Sequence, residues 1–309
     1  MPTPSHPAPR PRRGPMQRLW GMPVLLLVAA SLFWAGNFVI GRAVHGIVPP
    51  FFLAFWRWML ALLLLLPFAW PHLRRDAPAL FRQWPLMLLL GLLGIAVFST
   101  FVYLGLRSTT AVNGALLQSV IPLAILACSF LVFGEAPRPR QLLGLALSLA
   151  GVVCIASHGS LEDLLGLRLR AGDLWIMGAV LAYAIYSACL RLRPRVHPLS
   201  FLFCAVAASL LALLPAWLWE AAARPLPPLG AATLLSVGYL AVFPSLLSYL
   251  FFNRGVELIG ANRAGQFIHL LPVFGSLMAV VFLGEALELF HLAGLALIGG
   301  GILLAMRAR

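Results

Sequence analysis

The sequence has no lysine, only nine acidic residues and only 10% charged residues in 309. Soluble globular chains carry roughly 25% charged residues and about 45–50% apolar ones. Here 61% of the residues are hydrophobic. No soluble core of this length needs so much apolar side chain, so the excess has to face lipid. Cysteine is scarce as well. Cys128, Cys154, Cys189 and Cys204 all lie in or at the edge of apolar runs, and none forms a CxxC pair. That excludes a disulfide framework and a zinc site and leaves them as small buried hydrophobes. The chain also lacks HExxH, GxSxG, a P-loop and paired acids within one apolar run. It therefore gives no support to a nucleotide-driven pump, and no metal or cofactor is expected.

What is present is arginine. All 22 basic residues are arginine, and the net charge is +13. A nucleic-acid binder would gather them on one face or stripe. All but Arg57, which falls inside the second apolar stretch, lie outside or at the ends of apolar segments instead, which argues against nucleic acid and for membrane topology. Ten apolar stretches are long enough to cross a bilayer as helices. They run over 22–41, 51–70, 86–106, 110–133, 140–158, 172–190, 199–219, 231–252, 262–283 and 289–306. Helices are the expected spanning element, since an open sheet would leave backbone groups unsatisfied in lipid. Residues 1–20 are Pro- and Arg-rich and read as a disordered cytoplasmic tail. With the N-terminus inside, 16 arginines fall in cytoplasmic segments and five outside: Arg42, Arg107, Arg168, Arg170 and Arg224. The positive-inside rule then places both termini in the cytoplasm.

The chain matches itself at a shift of 150. Gly134-Glu135-Ala136 falls on Gly284-Glu285-Ala286, Pro122 on Pro272, Gly105 on Gly255 and Gly151 on Gly301. Between 101–155 and 251–305, 13 of 55 positions are identical without a gap. Each half, 21–158 and 172–307, holds five helices. Five is odd, so the second half crosses the membrane in the opposite sense. The fold expected is an all-α integral membrane protein of ten transmembrane helices in two inverted five-helix repeats, an arrangement common among carriers.

These residues resemble the drug/metabolite transporter superfamily, in particular its ten-helix members with two EamA-type repeats. The resemblance is carried by Leu32-Phe33-Trp34-Ala35-Gly36-Asn37-Phe38-Val39, by Phe55-Trp56-Arg57-Trp58-Met59-Leu60-Ala61, and by the stretch from Ala111 through Gly134-Glu135 to Gly151 with its copy. It covers nearly the whole chain after the tail. It implies a bacterial inner-membrane carrier, often an exporter of amino acids or related metabolites. The four-helix relatives use an acid in the first helix. Asn37 is the polar residue here, which weighs against drug/proton antiport by that route.

Polar groups at membrane depth are costly and mark candidate cavity residues. Trp34 and Asn37 are three residues apart and share a helix face. Tyr183 and Tyr186 repeat them at a shift of 149. Gln118 precedes Pro122, and Gln266 and His269 precede Pro272. Both prolines are expected to kink their helices and free a carbonyl. His269 either lines a cavity or relays a proton, so proton coupling stays open. Arg57 either pairs with a substrate carboxylate or snorkels between Trp56 and Trp58. Tyr103 and Ser248 complete the candidates. Glu135 and Glu285 are expected to sit at the interface and cap the fifth and tenth helices. The function expected is secondary transport of small amino-acid-like, zwitterionic or amphipathic metabolites, with export as the direction, by alternating access between the halves. A lipid-linked sugar or lipid flippase is the alternative. An intramembrane enzyme would need clustered acids or histidines that the sequence does not offer.

Overall fold

The computed structural model describes residues 18–109, 111–157, 159–160, 162, 170–283 and 288–307. Most of the expected N-terminal tail, and Glu285, lie outside the described residues. All secondary structure among the described residues is helical. The spans are α1 (Pro23–Ala43), α2 (Pro50–Arg82), α3 (Trp84–Leu106), α4 (Ala111–Gln118 and Ile121–Phe133) and α5 (Pro139–Ala156). The second set is α6 (Ala171–Leu192), α7 (Pro198–Ala223), α8 (Ala231–Ile259), α9 (Ala261–Gly265, Gln266–His269 and Leu270–Leu283) and α10 (Leu289–Met306). Nine of these are long and apolar enough to span a membrane among the described residues. The remaining one, α9, follows the same course in shorter helical pieces.

Local chemistry sets the boundaries. Pro23, Pro50, Pro139 and Pro198 begin helices, at positions where a missing N–H costs nothing. Gly134 ends α4 with φ of 68°, a left-handed turn that a side chain would strain. Leucines such as Leu63, Leu131, Leu211 and Leu235 stay exposed, as lipid-facing residues of a multi-pass protein do. Two expected boundaries are corrected. The eighth helix runs past residue 252 to Ile259. The second helix does not stop near residue 70 but runs to Arg82, through Pro67, Pro71 and Pro78. Those prolines recur on one helix face, so they bend the helix in one direction instead of breaking it.

The extension rests on the start of α7. His72 and His197 stack with ring centroids 3.5 Å apart, and Asp76 accepts the His197 backbone N–H at 3.0 Å. Burial, and secondly the neighbouring His72, hold the His197 imidazole below its ordinary value, against the pull of Asp76. The unfolded chain therefore takes up its proton first. Stability from this contact is complete above the ordinary imidazole value and is lost as pH falls below it. Melting temperature is expected to drop between about pH 8 and pH 5. His197→Asn keeps a helix-capping side chain and should flatten that dependence.

The inversion of the halves is visible in the packing of α5 on α10. A Cβ on Gly144 would meet the Gly301 carbonyl oxygen at 2.5 Å, and one on Gly151 would meet that of Gly294 at 2.7 Å. Pairing ascends along one helix while descending along the other, so the two are antiparallel and in close backbone contact. Between these crossings Ser148 Oγ donates to the Ile298 carbonyl at 3.3 Å. Residues 148 and 298 are repeat equivalents, so a pseudo-two-fold axis passes there. Further equivalents agree. Leu92–Val97 in α3 and Ala241–Leu247 in α8 are both π-helical. Pro67 and Pro215 each lie seventeen residues past the proline that begins their helix.

Candidate functional site

The axis also passes through the crossing of α4 and α9. The α4 helix breaks at Ser119 and Val120, just before Pro122. The α9 helix narrows to a 3₁₀ turn over Gln266–His269, just before Pro272. His269 Nε2 lies 2.9 Å from the Ser119 carbonyl, a contact between repeat equivalents. The Phe267 carbonyl accepts the Leu270 N–H within the 3₁₀ turn and also accepts from Ser31 Oγ of α1 at 2.8 Å. Here the expected proline kinks become two interrupted helices meeting at the centre of the molecule.

Beside this crossing is a small void of about 10 Å³, the size at which one water begins to fit. It is lined by Trp34, Asn37, Phe38, Phe98, Gln118, Ile121, Tyr183 and Ile268. Four of the ten expected cavity residues meet there: Trp34, Asn37, Gln118 and Tyr183. Gln118 Nε2, both amide atoms of Gln266, and His269 Nδ1 are buried without a hydrogen-bond partner among the described residues. Such atoms each cost about 1–3 kcal/mol of desolvation, which fold stability alone does not account for. Aromatic rings pack on the void. Trp34 meets Tyr183 edge-on at 5.7 Å, Phe252 at 5.3 Å and Tyr249 at 5.9 Å. Trp34 Nε1 donates to the Pro244 carbonyl at 3.1 Å, and the Tyr249 hydroxyl donates to the Gly94 carbonyl. Those two carbonyls are repeat equivalents, one in each π-helical segment. A π turn offsets the backbone ladder and is often found at functional sites.

On either side of the void stands a Tyr–Asn pair. Toward the side opposite the chain termini, the Tyr103 hydroxyl of α3 donates to Asn37 Oδ1 of α1 at 2.9 Å. Toward the side of the termini, the Tyr186 hydroxyl of α6 donates to Asn253 Oδ1 of α8 at 2.8 Å. Asn37 corresponds to Tyr186 and Tyr103 to Asn253 under the repeat. The hydrogen bond is kept while the two residue types trade places. Asn253 was missed from sequence, although adding the repeat shift to Tyr103 leads directly to it.

Asn253 of the termini-side pair also lines a cavity of about 650 Å³. Its walls include Arg191, Arg193, Arg195, Glu135 and Glu257. Arg193 pairs with Glu257 at 2.7 Å, and Arg191 pairs with Glu135. The expected capping role of Glu135 is thereby corrected. The α5 helix is capped at Arg138, whose N–H donates to Gln141 Oε1 at 3.0 Å, and Glu135 stands three residues upstream at an exposed ion pair.

Other candidates fall elsewhere. Ser248 is buried between α1 and α8, donating to the Ala30 carbonyl at 3.2 Å and the Phe243 carbonyl at 3.1 Å, and lines neither cavity. Gln266 and His269 sit at the helix crossing and not on the void wall. Arg57 does not snorkel. It is 3% exposed, and its partners are Asn37, Tyr103 and Ser99.

A model of the EamA-like transporter family matches residues 21–157 and again 170–307. The chain belongs to the EamA-like transporter family. It is 26% identical over 289 residues to a Bacillus subtilis (strain 168) protein named uncharacterized transporter YyaM, covering 91% of this chain and 92% of that one. It is 30% identical over 273 residues to an uncharacterized transporter of Archaeoglobus fulgidus, covering 87% and 92%. A solved crystal structure at 23% identity superposes with a TM-score of 0.72, covering 92% of this chain and 96% of that one. This EamA-like chain is thus a multi-pass membrane transporter, which in a bilayer implies a small-molecule substrate.

Proposed function

We propose that this transporter is a secondary carrier exporting small amino-acid-like, zwitterionic or amphipathic metabolites by alternating access. The single observation that carries this reading is the placement of the void. It lies next to the pseudo-two-fold axis, between two hydrogen-bonded Tyr–Asn pairs that exchange places under the inversion. Breaking one pair and keeping the other opens the void to one side; the mirrored event opens it to the other. Trp34, Tyr183 and Phe98 offer stacking surfaces, while Asn37 and Gln118 on the wall offer amides to orient a polar group, with the unpartnered amide of Gln266 behind them at the helix crossing. Two interrupted helices crossing beside the void support this reading, since inverted-repeat carriers build their sites from such helices.

The arginine distribution supports cytoplasmic termini in a bacterial inner membrane. The 650 Å³ cavity then opens to the cytoplasm and serves as a loading vestibule, which suits export. His269 is read as structural at the helix crossing more than as a proton relay, because its Nε2 already contacts the Ser119 carbonyl. The test is uptake by proteoliposomes against a panel of amino acids, amines, organic acids and sugars, with and without a pH gradient. Saturable uptake of an amino-acid-like compound is expected. Absence of any uptake, or uptake linear in concentration, contradicts the reading.

A further inference from the structure

Nearly everything at the centre of this molecule comes in pairs: interrupted helices, π-helical segments, Tyr–Asn hydrogen bonds and glycine crossings. One buried charge there does not. Arg57 of α2 has no counterpart in α7, where the corresponding stretch is Ala205-Val206-Ala207. Architecture explains what is repeated. It does not explain a lone charge at membrane depth.

The guanidinium is enclosed by neutral groups. Nη1 donates to Asn37 Oδ1 at 2.8 Å and to the Tyr103 hydroxyl at 2.7 Å, and Nη2 donates to Ser99 Oγ at 2.8 Å. The rings of Trp58 and Tyr103 flank it at 5.1 and 5.2 Å. Among the described residues Nε has no partner, and no acid forms an ion pair with the guanidinium. A buried charge without a counter-ion is strongly unfavourable, and a membrane setting makes it more so. Asn37, the residue that holds it, also lines the central void. A charge one hydrogen bond from the void is placed to meet whatever occupies it.

Resting on the carrier reading above, we propose that Arg57 is the anion anchor of the transport path, taking one planar singly charged group, a carboxylate, of the bound molecule. Its parallel N–H groups match a carboxylate fork. A single fixed positive charge suits one negative charge, and a dianionic phosphate would call for more cations than the path offers. Asn37 and Tyr103 accept from Arg57 in the empty state and are displaced when the carboxylate arrives. Loading is thereby coupled to release of the Asn37–Tyr103 hydrogen bond on the side opposite the termini. The arginine-walled vestibule draws the same class of molecule from the loading side.

The test uses the full-length protein in lipid nanodiscs and in proteoliposomes. L-phenylalanine, L-leucine and L-methionine are each supplied as free acid and as carboxamide. In nanodiscs, the acids are expected to bind at least about tenfold tighter than the amides, which is about 1.4 kcal/mol. Arg57→Gln should erase that discrimination, and Arg57→Lys should restore part of it, which separates lost charge from lost packing. Equal affinity of acid and amide in the unaltered protein, or binding of none of the acids, overturns the assignment. Equal transport of acids and amides leaves the carrier reading intact and removes the anchor. Binding of the acids without transport of any keeps the anchor and removes the carrier reading.

Discussion

Gln118→Met combined with Gln266→Met is expected to yield a protein that is more stable and does not transport. Both side chains are almost fully buried, at 2% and 1% exposure, and three of their four amide atoms lack hydrogen-bond partners among the described residues. Methionine has a similar volume and no amide to desolvate, so the core accommodates it at little packing cost. Removing an unsatisfied amide recovers about 1–3 kcal/mol per site. A melting temperature several degrees higher is therefore expected. If the two amides orient substrate, uptake should fall at least about tenfold, since each lost hydrogen bond in a dry site costs on the order of 1.4 kcal/mol or more. Stability and function then move in opposite directions, which is the mark of a site kept for activity. A variant that melts lower and transports normally would mean that the glutamines only hold helices together.

The repeat explains how much of this was legible in sequence. Hydrophobic runs at bilayer length give the spans, and an odd number of them per half gives the inversion. Trp34, Asn37, Gln118 and Tyr183 were recognisable because each is polar or aromatic at a depth where leucine is the default. Asn253 escaped because it lies past the apolar stretch assigned to α8, among Arg254 and Glu257, where an asparagine looks ordinary. Its significance is its hydrogen bond to Tyr186, and a pairing between distant helices has no local signal. The α2 extension escaped for the opposite reason. Pro71 and Pro78 signal a break locally, and only their shared face and the support of His197 keep the helix intact. The environment of Arg57 depended on packing in the same way. Sequence leaves carboxylate pairing and snorkelling open, and the decision against snorkelling comes from Asn37, Ser99 and Tyr103 on two other helices.

The two Tyr–Asn pairs carry the second large effect. Removing a single hydroxyl from either is worth about 1 kcal/mol, enough to shift a two-state population about fivefold. Tyr186→Phe should favour the state open toward the termini. Tyr103→Phe should favour the state open to the other side, with Arg57 still held by Asn37 and Ser99. The effects should be opposite in sign because the pairs are related by the inversion.

Accessibility of the void decides the matter. With Cys128, Cys154, Cys189 and Cys204 replaced by alanine, Ile121→Cys places one thiol on the void wall. Its labelling by a membrane-impermeant thiol reagent is measured from each side in sealed oriented vesicles. Alternating access predicts that Tyr186→Phe speeds labelling from the termini side about fivefold and slows it from the other, and that Tyr103→Phe does the reverse. Labelling that rises from both sides together, or that responds to neither substitution, would contradict it.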